Sequence, residues 1–235
     1  MLIQASDAGD PATLQPDQIT TILIDSGPDM REQLLDANIG HLDAVVLTHS
    51  HADHIFGLDD LRQLWVRHRE RVNVYLDEET RSRVYPAFAY CFEQAPGTSY
   101  APFLHAHPIS SATPFSIAGK GGVVELTPIQ VEHGDIPALG IRVNNTVYMP
   151  DVKTVEIPRS RELLTGLDLL IIDALRYKAH PTHMNLEEAL AFVSSFEPQQ
   201  AILTNMHGDM DYATLVSDLP DTVSPAYDGL SRLIV

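Results

Sequence analysis

"VVLTHSHADHIFGLDDL", residues 45–61, places three histidines and an aspartate within six positions, between a short apolar run and a segment of helical spacing. Folding alone gives no reason for this, because clustered imidazoles compete for hydrogen-bond partners and repel one another when protonated. Cation binding does give one. Neutral imidazole and carboxylate suit zinc, and without a thiolate in the set manganese and iron are also accommodated. A turn leaving a strand can aim His49 and His51 toward one metal while Asp53 and His54 face a second. A lone histidine here would more simply cap the following helix; four residues at this spacing read as ligands.

Working outward, residues 19–27 (ITTILIDSG) predict a buried strand over Ile22–Ile24 with its exit at Asp25–Gly27. Residues 28–39 predict a helix opening near Pro28, and residues 42–48 a second strand. The segment 57–70 carries Leu58, Leu61, Leu64 and Trp65 as an apolar helical face, and a third strand follows at 72–77. Residues 78–92 suggest a helix interrupted at Pro86, and 78–118 as a whole reads as an irregular rim or insertion. Three short strands then succeed one another over 123–135, 138–145 and 146–151, the last two joined by the turn pair Asn144 and Asn145. A short helix and buried strand occupy 161–175, an amphipathic helix opens at Asn185, and residues 200–211 repeat the strand-to-histidine pattern. The alternation predicts a layered α/β fold in a single domain, residues 1–235, with two sheet halves.

Composition sets the surroundings. A formal charge of -17 over 235 residues favours solubility and repels polyanions at long range, which makes nucleic acid the less favoured partner. Cys91 is the sole cysteine, so neither an intrachain disulfide nor a cysteine-rich zinc site can form, and its place between Tyr90 and Phe92 reads as packing. No basic-then-apolar leader opens the chain and no long apolar run occurs, so a cytoplasmic protein without a membrane span is expected.

The quoted stretch resembles the HxHxDH signature of the metallo-β-lactamase fold superfamily, lying, as that signature does, between a strand and a helix. The resemblance extends to His133 in VEHGD, Asp151 in YMPD and His207 in LTNMHGD, and so covers residues 21–208. It implies a four-layer αββα sandwich holding two divalent transition-metal ions, zinc or manganese. His49, His51 and His133 would hold one and Asp53, His54 and His207 the other, with Asp151 bridging. Within the superfamily, the order ILIDSGPDMREQLL, THSHADHIFGLDDLR, VEHGD, LIIDALR and HPTHMNLEEAL looks most like the bacterial cyclic ribose-phosphate phosphodiesterases, near the tRNA 3'-end-processing endonucleases. That branch implies a further histidine at the phosphate or leaving group, matched by His183 with His180 as competitor. Asp173, ending the run LDLLIID, is a candidate to orient a histidine. The chain departs from the family in lacking the glycine-rich turn after a first strand, which leaves a degenerate, shortened first strand or a missing N-terminal piece as the two readings.

Two cations about 3.5–4 Å apart would generate a bridging hydroxide and neutralise a phosphoryl oxygen, so no serine or cysteine nucleophile is needed. Asp53 and His183 are the catalytic candidates, His183 as proton donor. The expected activity is metal-dependent hydrolysis of a phosphodiester, a small or cyclic sugar phosphate, with a nuclease acting on RNA or DNA ends, or a regulatory metal-binding protein without turnover, as alternatives. Arg62, Arg67, Arg69 and Arg71 read as a solvated helix face or a basic wall. The aromatic and histidine-rich stretch from Tyr90 through Tyr100 to His107 reads either as a substrate mouth or as an ordinary rim, and the family resemblance suggests a homodimer.

Overall fold

The run TTILI forms strand β2 (Thr20–Ile24), buried at all five positions, because β-branched and leucine side chains there face apolar neighbours on both sides of a sheet. In the computed structural model, which describes residues 1–234, the chain forms two units: Met1–Ser110 with Phe115–Glu125, and Ser111–Pro114 with Leu126 onward. Each is described in turn.

In the first unit, β1 (Leu2–Ala5) pairs antiparallel with β2, so a first strand is present although the glycine-rich turn is not. Helix α1 (Met30–Asp36) leads to β3 (Ala44–Val46). The histidine stretch follows, with α2 (Ala52–Ile55), a 3₁₀ turn (Leu58–Leu61) and α3 (Arg62–His68). Next come β4 (Val72–Leu76), α4 (Glu78–Phe92), β5 (Leu104–Pro108) and β6 (Phe115–Gly119). The sheet order is β1-β2-β3-β4-β5, and β2 to β5 are parallel. Ile24 pairs with Val46, which pairs with Tyr75, so the strand ends lie level and the residues beyond them share one edge. Leu23, Val45, Val74 and Leu104 pack with Leu58, Leu61, Val84 and Phe92 in one core, where Cys91 is also buried.

Where an irregular rim was expected over 78–118, the chain forms α4, a loop and β5. Helix α4 runs uninterrupted through Pro86, which is exposed, so water can take the carbonyl that its missing N–H leaves unbonded.

Strand β7 (Gly122–His133) begins in the first unit and continues in the second. The second unit adds β8 (Ile136–Val143), β9 (Thr146–Met149), β10 (Thr154–Val155), α5 (Ile157–Leu164) and β11 (Leu169–Asp173). It closes with α6 (Leu186–Phe196), β12 (Gln200–Thr204), α7 (Tyr212–Asp218) and β13 (Val223–Pro225). The order β10-β7-β8-β9-β11-β12-β13 is antiparallel through β9 and parallel from β9 onward. Leu164, Ala189 and Val193 of α5 and α6 pack on Ile129, Val147, Leu170 and Leu203. Each unit supplies one helical and one sheet layer, the αββα architecture expected, with an atypical N-terminal strand arrangement. Among the described residues, no helix is long and apolar enough to cross a membrane.

Candidate metal centre

In the first unit the ligand group is organised by Asp25, an acid that sequence reasoning treated only as a strand exit. Level pairing of β2 with β3 sets it beside Thr48, whose backbone N–H donates to Asp25 Oδ1 at 2.7 Å and whose hydroxyl lies 2.8 Å from Oδ2. With its proton committed to Asp25, the Thr48 hydroxyl accepts from His49 Nδ1 at 3.0 Å. His54 Nδ1 donates to Asp25 Oδ2 at 2.8 Å. Both imidazoles are thereby set with a lone pair on Nε2, the tautomer a metal requires.

Those Nε2 atoms meet other potential ligands. His49 Nε2 lies 3.1 Å from His51 Nδ1, and His54 Nε2 lies 3.3 Å from Asp53 Oδ2. His54 holds the Asp53 carboxyl well below the usual range, against a smaller opposing effect of burial. His49 and His54 are buried; His51 and Asp53 are exposed. The loop is held by glycines whose bare Cα is required. A Cβ on Gly57 would stand 2.3 Å from the Gly27 carbonyl oxygen, and one on Gly27 2.4 Å from that of Asp53.

In the second unit, His133 ends β7 and donates from Nδ1 to the Thr182 carbonyl at 2.8 Å, leaving its Nε2 facing Asp151 Oδ2 at 3.5 Å. Asp151 is buried and accepts from Asn205 Nδ2 at 3.1 Å. Asp173, fully buried at the end of β11, accepts from the Val152 N–H at 3.1 Å and from His183 Nδ1 at 2.7 Å. Burial pushes the Asp173 carboxyl up to about 6, although the His183 contact and the Val152 N–H pull it down. His183 presents Nε2 4.0 Å from Asp151 Oδ2, and its ring meets His133 edge-on at 4.5 Å and His180 at 5.0 Å.

The expected ligands His49, His51, Asp53 and His54 therefore gather in one unit, and His133 and Asp151 with Asp173 and His183 in the other. His207 stands outside both groups among the described residues: it is exposed, and its Nδ1 lies 3.0 Å from Asp209 Oδ1. Cys91, in the core with its thiol pushed up to about 12 by burial, offers no ligand. The donor chemistry fits a divalent cation. Oriented imidazole nitrogens and carboxylates make up these groups, the set that zinc or manganese takes. His49, His51, Asp53, His54, His133 and Asp151 belong to His/Asp groups that could hold divalent metal ions.

Asp25, Thr48, Thr182 and Asn205 were not singled out from sequence. For Asp25 a signal existed: an acid at the end of a fully apolar run, as Asp173 is. The others are recognised only once register and turns bring them beside a ligand.

Residues 20–206 match the β-lactamase superfamily domain family. An octanoyltransferase of Porphyromonas gingivalis (strain ATCC BAA-308 / W83) is 34% identical over 218 residues, covering 91% of this chain; the chain spans only 42% of that relative's length. Among solved structures, a diphosphatase from the PhnP family is similar with a TM-score of 0.81 and 32% identity, over 92% of this chain and 81% of the other. Human tRNase Z, short form, shares the fold with a TM-score of 0.65 and 17% identity, over 92% and 88% of the two chains.

These likenesses correct one expectation, that nucleic acid is the less favoured partner. The architecture is shared with an enzyme named for tRNA and with a phosphate-cleaving relative, so net acidity does not decide substrate class on it. The physical reason is that a formal charge of -17 counts side chains over the whole surface, whereas screening confines each to about 8 Å at physiological salt, and bound metals reverse the sign locally.

Proposed function

The chain belongs to the β-lactamase superfamily domain family, and from that premise we propose that it is a two-metal phosphodiesterase of the nucleic-acid-processing kind, cleaving a phosphate ester at the end of an RNA or DNA strand. It is a metal-dependent hydrolase. His49, His51 and His133 would hold one ion and Asp53, His54 and His207 the other, with Asp151 shared. For His207, the Asp209 contact at Nδ1 leaves Nε2 as the ligating atom. Zinc or manganese bound there supplies the charge that activates water and neutralises a phosphoryl oxygen.

The observation that carries the phosphate reading is the His183–Asp173 pair. Asp173 fixes the proton of His183 on Nδ1 and would stabilise the ring when it is doubly protonated. In that state Nε2 carries a proton 4.0 Å from Asp151, placed to pass to a departing alkoxide oxygen. A thioester, whose thiolate departs without protonation, needs no such donor beside its metals. Likeness to a tRNA enzyme and to a PhnP-family diphosphatase supports nucleic-acid-related substrates over a cyclic sugar phosphate. A second reading, cleavage of a nucleotide-type diphosphate, is favoured by the 32% identity to the diphosphatase.

The test is a metal-reconstituted panel of end-labelled RNA, a dinucleoside diphosphate, bis-p-nitrophenyl phosphate and a thioester, run beside Asp151→Ala and His183→Ala. Metal-dependent cleavage of RNA ends is expected, lost in both variants. Activity confined to the diphosphate moves the second reading forward; activity confined to the thioester removes both.

A further inference from the structure

Immediately beyond the histidine loop, the first unit carries an exposed series of aromatic rings interleaved with arginines. Phe56, two residues after His54, is 59% exposed and lies 6.1 Å edge-on from Phe88 of α4. Tyr90, two residues after Phe88, packs at 6.0 Å on Tyr100, and both are 40% exposed. The Arg62 guanidinium stands over the Tyr100 ring at 5.3 Å and over Trp65 at 5.9 Å, and Arg69 covers Trp65 at 5.7 Å. Arg62 and Trp65, spaced i and i+3, share one face of α3, and Arg69 is the left-handed residue that caps its C-terminus.

Two observations separate this series from an ordinary rim. Among the described residues, neither Arg62 nor Arg69 has a carboxylate within ion-pair distance, in a chain with 32 acidic and 15 basic residues. Their guanidiniums are held over rings and not neutralised. Beside Tyr90 and Tyr100 lies a recess of about 320 Å³, walled also by Asp59, Glu93, Ala95 and Thr98. The Tyr90 hydroxyl donates to Asp59 Oδ1 at 2.9 Å, which fixes that wall.

We infer that this face is a landing surface for single-stranded nucleic acid, its bases stacked on Phe56, Tyr90 and Tyr100 and its phosphates paired with Arg62 and Arg69. The inference rests on the substrate class proposed above and extends it. Rings and guanidinium planes accept any unstacked base, and unpaired arginines take the backbone charge. Asp59 and Glu93 at the recess add a preference, because carboxylates accept from the exocyclic amine of adenine or cytosine and repel the carbonyl edge of uracil. A duplex, with its bases already stacked on one another, offers these rings nothing.

The experiment is fluorescence anisotropy of labelled short oligo(A), oligo(U) and the duplex of the two with the full chain at low salt, the probes checked intact by gel. Oligo(A) is expected to bind most tightly. Phe56→Ala and Tyr100→Ala should each weaken it by roughly 5- to 160-fold, the range of one lost base stack, while Tyr100→Phe retains most of the affinity. Arg62→Lys keeps the charge, loses the planar cover, and should fall between. Equal binding of the duplex, or unchanged oligo(A) affinity in Tyr100→Ala with native circular dichroism, overturns the inference. So does sedimentation in which these alanine variants dissociate a wild-type dimer without affecting oligo(A), since the face then belongs to a second copy. Turnover of bis-p-nitrophenyl phosphate by wild type reports separately on the catalytic reading: a protein active on that diester yet blind to oligo(A) keeps its chemistry and loses this surface.

Discussion

His183 Nδ1 lies 2.7 Å from Asp173 Oδ2, and that carboxylate is fully buried at the end of β11, with the Val152 N–H at 3.1 Å and the Asn205 amide at 3.5 Å as further donors. The ring can turn neither its tautomer nor its plane without leaving a buried acid short of a partner. His183→Ala should therefore lower kcat on phosphate esters by about 10²–10⁴, the usual worth of a positioned proton donor, while metal content measured by plasma mass spectrometry stays at wild type. Asp173→Asn should lose part of that rate with the imidazole still present. Metal loss parallel to the loss of rate would make His183 a ligand instead.

Asp25 links Thr48, and through it His49, to His54. Asp25→Ala would release both imidazoles from their tautomers and strand the Thr48 N–H. Removing such an outer partner costs about 10- to 100-fold in metal affinity, and a stranded buried donor about 1–3 kcal/mol in stability. Chelator competition and urea unfolding of the metal-free protein measure the two separately. Unchanged affinity would relegate Asp25 to a folding role.

The Gly27 and Gly57 backbones approach so closely that a methyl at Gly57 would stand 2.3 Å from the Gly27 oxygen, with the Ser26 oxygen at 3.0 Å. Both obstacles are backbone and cannot rotate away. Gly57→Ala should cost about 1–3 kcal/mol by overpacking, whereas Gly208→Ala, with nothing within 4 Å, should melt as wild type does. Equal melting temperatures for the two would show that the loop yields.

Lys153 Nζ sits 2.6 and 2.8 Å from the Glu188 oxygens and 3.3 Å from the His183 carbonyl. Burial pushes the Glu188 carboxyl up, but hydrogen bonds from Lys153 and the Asn185 N–H outweigh it and leave it below its ordinary value of 4.5. A depressed acid stabilises the fold above that ordinary value, and the contribution is lost as pH falls through the folded value. Glu188→Gln should accordingly be less stable than wild type at neutral pH, by under about 1 kcal/mol because the pair is partly exposed, and the gap should close below pH 4.5. A gap that persists in acid would assign the effect to packing.

The candidate His/Asp cluster was legible in the chain because its spacing is local, with His49, His51, Asp53 and His54 inside six residues, and the succession of strands and helices follows from alternating apolar runs. What sequence could not supply is long-range. Asp25 reaches Thr48 and His54 through strand register, and Asn205 reaches Asp151 across 54 positions. The continuity of helix α4 was missed for another reason: Pro86 reads as an interruption in the sequence, yet its exposed position lets water take the carbonyl that it leaves unbonded. Net charge misled because a sum over the chain carries no positions.

Glu188 has one further consequence, for the order in which this protein comes apart. Its carboxylate accepts from the Asn185 N–H at 2.9 Å while its own N–H donates back to the Asn185 side chain, and the same carboxylate holds Lys153 against the His183 carbonyl. The first turn of α6 and the seat of His183 are thus one cooperative element. Fraying of that turn, an opening far smaller than global unfolding, unseats the proton donor as well. On warming, activity should fade ahead of the main calorimetric transition, and the amides of residues 183–188 should exchange with deuterium on the schedule of that early loss.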